Sequence, residues 1–330
     1  MPSGTRILSE MPLITVPGTR KGRSLAESVT ALCNQVLKVD INTHYVLLKL
    51  SKGFEYDQQT REAVQDYFQQ TMPQHVLSWS VESFSSIFSF YQRHAVRLPG
   101  KHASGFFHRY GAINHSCSPN AQAYYDPVKE RHQVQLVRDV KAGDQIFVSY
   151  ISGIEFPRER RQTEILLEGH KFVCDCTLCT NQEANAILER VPTLYEGLSE
   201  FWEKAYSHGR PPQANSTLVP RNETMDALAS AEELLGILRH PSVDVVGQPL
   251  SLALQFCIWL HRDLGNIKAA AAYARERLVL HVRLYGFDAD DFLAYDDASK
   301  KLRILESELS RMEAGVPWGF CWEPMDLGEV

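Results

Sequence analysis

The chain has 330 residues, 44% of them hydrophobic and 22% charged, with 40 acidic side chains against 34 basic ones and a formal charge of −6. That length suits two domains, and the composition is that of an ordinary soluble globular protein. The acidic balance leaves no basic stripe for nucleic acid, and no stretch approaches eighteen consecutive apolar residues, so neither direct nucleic-acid binding nor a membrane span is expected.

The opening MPSGTRILSEMPLITV lacks a basic stretch followed by an apolar block, so no secretory signal is expected and a reducing compartment follows. Seven cysteines in that setting point to thiols and metal rather than to a disulfide framework. TRILSEMPLITV reads as two short strands around Pro12, and residues 24–38 and 58–70 read as helices. VESFSSIFSFYQRHAVRL places Phe84, Ile87, Phe88 and Tyr91 at helical spacing, as a core helix does. HQVQLVRDV alternates, with Val134 and Leu136 on one face, and QIFVSYI is dense in β-formers. With Gly143 at the turn between them, a hairpin-like pair is expected.

From residue 181 the pattern is helical. Ile267, Ala271, Ala274, Leu278, Val282 and Tyr285 recur every three or four residues, and LSLALQFCIWLHRDLG precedes them as another helix. The two resemble a single tetratricopeptide-like helix hairpin. SHGRPPQANSTLVPRN, 207–222, reads as an exposed loop. Most of the acidic excess falls in this half, where wet acidic helix faces explain it better than steering of a cationic substrate.

CDCTLC, residues 174–179, packs Cys174, Cys176 and Cys179 into six residues. A closed structural zinc site takes four ligands, so three thiols want a fourth. Cys33 and Cys257 lie in helical patterns, where a small buried thiol is the natural reading, and Cys321 lies near the end of the chain. Cys117 lies in NHSCSPN, residues 114–120, which cannot continue a helix or a central strand and must be an ordered polar loop. His170 is a competing fourth ligand.

GAINHSCSPNA, GDQIFVSYI and FVCDCTLC, in that order, resemble the SET-domain protein methyltransferases, specifically the SET-and-MYND type and its fungal relatives. The likeness covers roughly residues 4–180 and extends loosely into the helical remainder. It implies an α+β fold: a SET-type β fold with pseudoknot-like threading and a helical insertion, a zinc-bound post-SET segment, and an all-α C-terminal domain. The implied division is a split SET domain at 1–180 and a helical domain at 181–330. Within the first, N-terminal strands occupy 1–20, the helical insertion 21–95, the core SET region 96–152 and the post-SET zinc segment 153–180.

The resemblance also assigns roles. Cys117 joins Cys174, Cys176 and Cys179 on a structural Zn2+. Asn114 and His115 hold S-adenosyl-L-methionine, His115 largely through its backbone, and Phe172 stacks on the adenine. Tyr150 is the catalytic tyrosine. The implied activity is protein-lysine N-methylation of a histone or non-histone substrate by a monomer in the nucleus or cytoplasm.

The chain departs from the family pattern in several places. The glycine segment expected before the first strand is missing, so an N-terminally truncated chain is expected, and with it an alternative: a catalytically silent SET-fold scaffold or protein-binding module. His170 stands where relatives place a channel tyrosine, and His94 where they place an asparagine. GDQ replaces the usual GEE. The MYND finger is absent, since residues 21–100 contain only Cys33.

Overall fold

A computed structural model describes residues 1–18, 23–72, 78–98, 101–206, 219–286 and 310. Strands β1 (Arg6–Glu10) and β2 (Ile14–Pro17) flank Pro12, whose missing N–H suits the break between them. A helical block follows: α1 (Leu25–Val36), α2 (Ile41–Ser51), α3 (Gln58–Thr71) and α4 (Ser78–His94). The first three start on side-chain caps. Ser24 and Glu27 form a capping box on α1, Asp40 accepts from the Asn42 and Thr43 amides of α2, and Asp57 from the Thr60 amide of α3. Leu32, Val64, Phe84 and Phe88 close a core that also takes Ile14 and Phe106 from the sheet beside it.

Short strands then alternate with turns: β3 (Val96–Leu98), β4 (Ala103–Phe106), β5 (Asn114–His115), β6 (Ala121–Asp126), β7 (Arg131–Leu136) and β8 (Phe147–Val148). They form three small sheets, ordered β1-β7-β6, β2-β4-β3 and β5-β8. The first two are antiparallel, whereas β5 and β8 run parallel, Asn114 opposite Phe147 and His115 opposite Val148.

The expected hairpin across Gly143 does not form. β7 is taken on both sides, by β1 and by a tight hairpin from β6, so the segment after Gly143 has no free edge there. It crosses to β5 instead. Gly143 does sit in a turn with φ +94°, and the Asp144 side chain accepts from the Lys141 amide.

Helices α5 (Arg158–Leu167), α6 (Thr177–Thr180), α7 (Gln182–Leu188), α8 (Val191–Tyr206), α9 (Arg221–Leu238), α10 (Gln248–Asp263) and α11 (Ile267–Tyr285) complete the described chain. α10 and α11 are joined by a short turn whose Gly265 has φ +81°, and Cys257 is buried between helices. Cys33 is likewise buried, in α1. α11 rests on the first sheet: Arg6 and Tyr124 donate to the Tyr285 carbonyl and Gln135 to that of Val282. No described helix is long and apolar enough to cross a membrane. The expected loop at 207–222 falls mostly, and Cys321 entirely, outside the described residues.

Candidate functional site

Two polar segments meet at the centre of the small sheets. NHSCSPN contributes β5, and its last residue, Asn120, ties it to β8: the Asn120 side chain donates to the Gln145 carbonyl at 2.9 Å and accepts from the Phe147 amide at 2.8 Å. Ser116 N–H donates to Val148 O at 3.0 Å. A two-residue strand pair has little stability of its own, so these bonds supply what its length lacks.

The chain leaving β8 presents Tyr150 to a pocket of about 220 Å³, lined also by Tyr110, His94, Arg97, Glu168 and His170. The Tyr150 hydroxyl donates to Ile113 O at 2.5 Å, and its ring lies 4.7 Å from that of His170 and 5.3 Å from that of His115. Burial pushes the Tyr150 and Tyr110 phenols above their ordinary range, so both stay protonated near neutrality. Tyr110 is held from below: the Glu10 carboxylate accepts from the amides of Arg109 and Tyr110, and the buried His132 ring lies 4.0 Å from the tyrosine ring. Desolvation lowers the His132 pKa to about 3, so that imidazole is neutral.

Asn114 is exposed and makes no side-chain hydrogen bond among the described residues. His115 is buried, and its ring turns away from solvent. Its Nδ1 accepts from the Tyr150 amide at 3.0 Å, which leaves the proton on Nε2, 3.3 Å from the Cys117 sulfur. One imidazole thus links the backbone of the tyrosine to the thiol. Phe172 is 37% exposed, its ring 5.9 Å from both His115 and His170.

The four sulfurs of Cys117, Cys174, Cys176 and Cys179 lie within 4.8 Å of one another. Cys117 is 3.6 Å from Cys179 and 4.0 Å from Cys174. These separations are far beyond a disulfide of about 2.05 Å. They match the ~3.8 Å between sulfurs placed tetrahedrally at about 2.3 Å from a zinc ion. Four sulfurs converging at this spacing are the soft donor set that a tetrahedral metal ion takes. The donor set therefore fits a closed metal site with no open position. His170 lies outside that group of four. Cys117, Cys174 and Cys179 share a core with Leu188, Leu194 and Leu234 of the C-terminal helices.

Sequence reasoning missed Tyr110, Glu10, Asn120 and Arg97. Asn120 and Tyr110 lie within or beside the motif segments, and β3 delivers Arg97 to the pocket. Glu10 carries no local signal, because its partners are about a hundred residues away in sequence.

Comparison with known proteins finds similarity over part of the chain. The sequence profile of the SET domain matches residues 2–151. The Histone-lysine N-methyltransferase set5 of Schizosaccharomyces pombe is 37% identical over 79 residues, 24% of this chain and 24% of the relative. The SET domain and MYND-type zinc finger protein 6 of the same organism is 44% identical over 71 residues, 21% of this chain and 14% of the relative. The human Protein-lysine N-trimethyltransferase SMYD5 is 35% identical over 77 residues, 23% of this chain and 18% of the relative. The matches thus span about a quarter or less of these relatives' length. Residues 2–151 thus match the SET domain, and the chain resembles the SET-and-MYND-like protein methyltransferases.

Proposed function

We propose that the chain is an S-adenosylmethionine-dependent protein-lysine N-methyltransferase with a structural zinc held by Cys117, Cys174, Cys176 and Cys179. The observation that carries this reading is Tyr150, which lines a pocket and whose amide bonds the His115 ring of the loop that supplies Cys117. Asn114, with its exposed amide, and Phe172, with its partly exposed ring, are the groups that fit the cofactor's amino-acid and adenine ends. S-adenosylmethionine supplies a methyl group on a cationic sulfur.

The protein's part is positioning and desolvation. The Tyr150 proton is committed to Ile113 O, so its oxygen acts as an acceptor toward the pocket and aims the N–H of an entering amine. Tyr110, Tyr150 and His170 wall the amine from water. Burial lowers the lysine pKa, so the neutral nucleophile forms without a strong base. Zinc would bind the post-SET segment against the NHSC loop and so keep this wall in place. The substrate is a protein with an exposed lysine, and the expected compartment is the nucleus or cytoplasm.

A second reading, a non-catalytic SET-fold binding module, is favoured by two arginines in the pocket lining, Arg93 and Arg97, against the one carboxylate of Glu168. Methyl transfer separates the two. With tritiated-methyl S-adenosylmethionine and a panel of lysine-bearing proteins, the enzyme reading expects label recovered as Nε-methyl-lysine. Saturable cofactor binding with no transfer to any panel member would favour the module.

A further inference from the structure

Arg161 is fully buried, with 0% exposure, in the middle of α5. A guanidinium in that position costs several kcal/mol unless an opposite charge meets it. Among the described residues no carboxylate pairs with it. Its Nη1 donates to the Phe156 carbonyl, and its Nη2 to Asn185 Oδ1 at 3.1 Å and to the Cys179 sulfur at 3.5 Å. Its Nε has no hydrogen-bond partner among the described residues. The two oxygen acceptors are neutral, so the sulfur is the one contact at which its charge can be met.

The neighbouring residues treat the same sulfurs in the same way. Gln162 Nε2 donates to the Cys179 sulfur at 3.5 Å and to the Cys174 carbonyl at 3.1 Å, while its Oε1 accepts from the Cys174 amide at 2.9 Å. Asn185, on α7, donates to the carbonyls of Leu178, Cys179 and Asn181 and accepts from Arg161. α5 and α7 thus clamp the cysteine cluster from two sides. The one formal charge in the clamp is positive.

We infer that Arg161 is the counter-cation of the metal-thiolate centre. Four thiolates around one divalent ion carry two more negative charges than positive ones, and a buried centre of that kind needs a neighbouring cation as much as Arg161 needs an anion. Each is the other's compensation. Arg161 is therefore a positioning residue: its buried charge beside Cys179 favours the metal-loaded cluster over the empty one. It also fixes the register of α5, whose C-terminal end leads to Glu168 and His170 at the pocket. This inference rests on the zinc reading above.

The test compares zinc-loaded wild type with Arg161→Gln, which keeps donors without charge, and Arg161→Lys, which keeps charge without the fork. Zinc affinity is measured by chelator competition, and cobalt substitution reports thiolate ligation by its sulfur-to-metal charge-transfer band. Arg161→Gln is expected to lose about 10–100-fold in affinity, the usual cost of removing an outer-shell partner, with Arg161→Lys in between. A second measurement is thermal unfolding with and without the metal. With zinc present Arg161→Gln should melt below wild type, whereas after chelation it should melt at or above stripped wild type, because the buried charge then has no partner. Equal zinc affinity in Arg161→Gln and wild type, or a wild-type advantage of the same size with and without metal, overturns the inference alone. A wild-type chain that takes up neither zinc nor cobalt overturns the metal reading and this inference with it.

Discussion

Tyr150 combines the two properties the chemistry asks of it, a fixed hydroxyl and an open face toward a pocket. Removing the hydroxyl in Tyr150→Phe loses one hydrogen bond, worth about 1 kcal/mol of stability. It also removes a preorganised polar group from the transition state, so turnover should fall on the order of a hundredfold. Single-turnover methyl transfer and a urea melt on the same variant check the two numbers. A large stability loss with unchanged turnover would reduce Tyr150 to a packing residue. His132 gives a prediction in pH. Burial lowers its pKa from 6.5 to about 3, so the unfolded state binds a proton that the folded state refuses throughout that window. Its contribution to stability is complete above about pH 6.5 and is lost as pH falls toward 3, at about 1.4 kcal/mol per pH unit. His132→Phe should flatten the acid limb of the stability curve by one proton. An identical slope in the variant would mean that the imidazole titrates normally.

At the level of elements, much of the framework was legible. Helical spacing marked α1, α3, α4, α10 and α11, because each buries one stripe of apolar residues against a neighbour. The strands on either side of Pro12 were also legible. α2 was not, since Ile41 and Tyr45 on it are exposed and blur its stripe. The β5–β8 pairing was hidden for a different reason. Two-residue strands carry no alternation, and their partnership is set by the Asn120 side chain and by the saturation of β7. The cysteine motifs stood out because thiols are rare and closely spaced, and the structure brings their sulfurs together. The Arg161 clamp was invisible, because burial of an arginine leaves no mark in a run such as RERRQ. Cys117→Ser should release zinc and raise hydrogen exchange across residues 170–180. Unchanged zinc content would remove Cys117 from the ligand set. Gly105, in β4, is constrained more locally: a Cβ there would lie 3.0 Å from Leu98 and 3.1 Å from Phe107. Gly105→Ala should cost about 1–3 kcal/mol in a denaturant melt, and a neutral result would show that those side chains yield.

Across the whole molecule, the cysteine cluster sits where the SET region and the C-terminal helices share one core. The helices are also latched to the first sheet through the carbonyls of Val282 and Tyr285. Metal removal should therefore be felt on both sides of the cluster. Several kcal/mol lost at one site lowers the Tm of a chain this size by about 10 °C, and hydrogen exchange should rise in α5 through α8 together. Exchange confined to residues 170–180 would instead mean that the cluster ties down only its own loop. The most direct test of the methyltransferase account is isothermal titration of S-adenosylmethionine into the zinc-loaded chain. Saturable binding at one site per chain is expected, weakened about tenfold or more in Asn114→Ala as a charge-assisted hydrogen bond is lost. No heat of binding to a folded, zinc-loaded chain would contradict it.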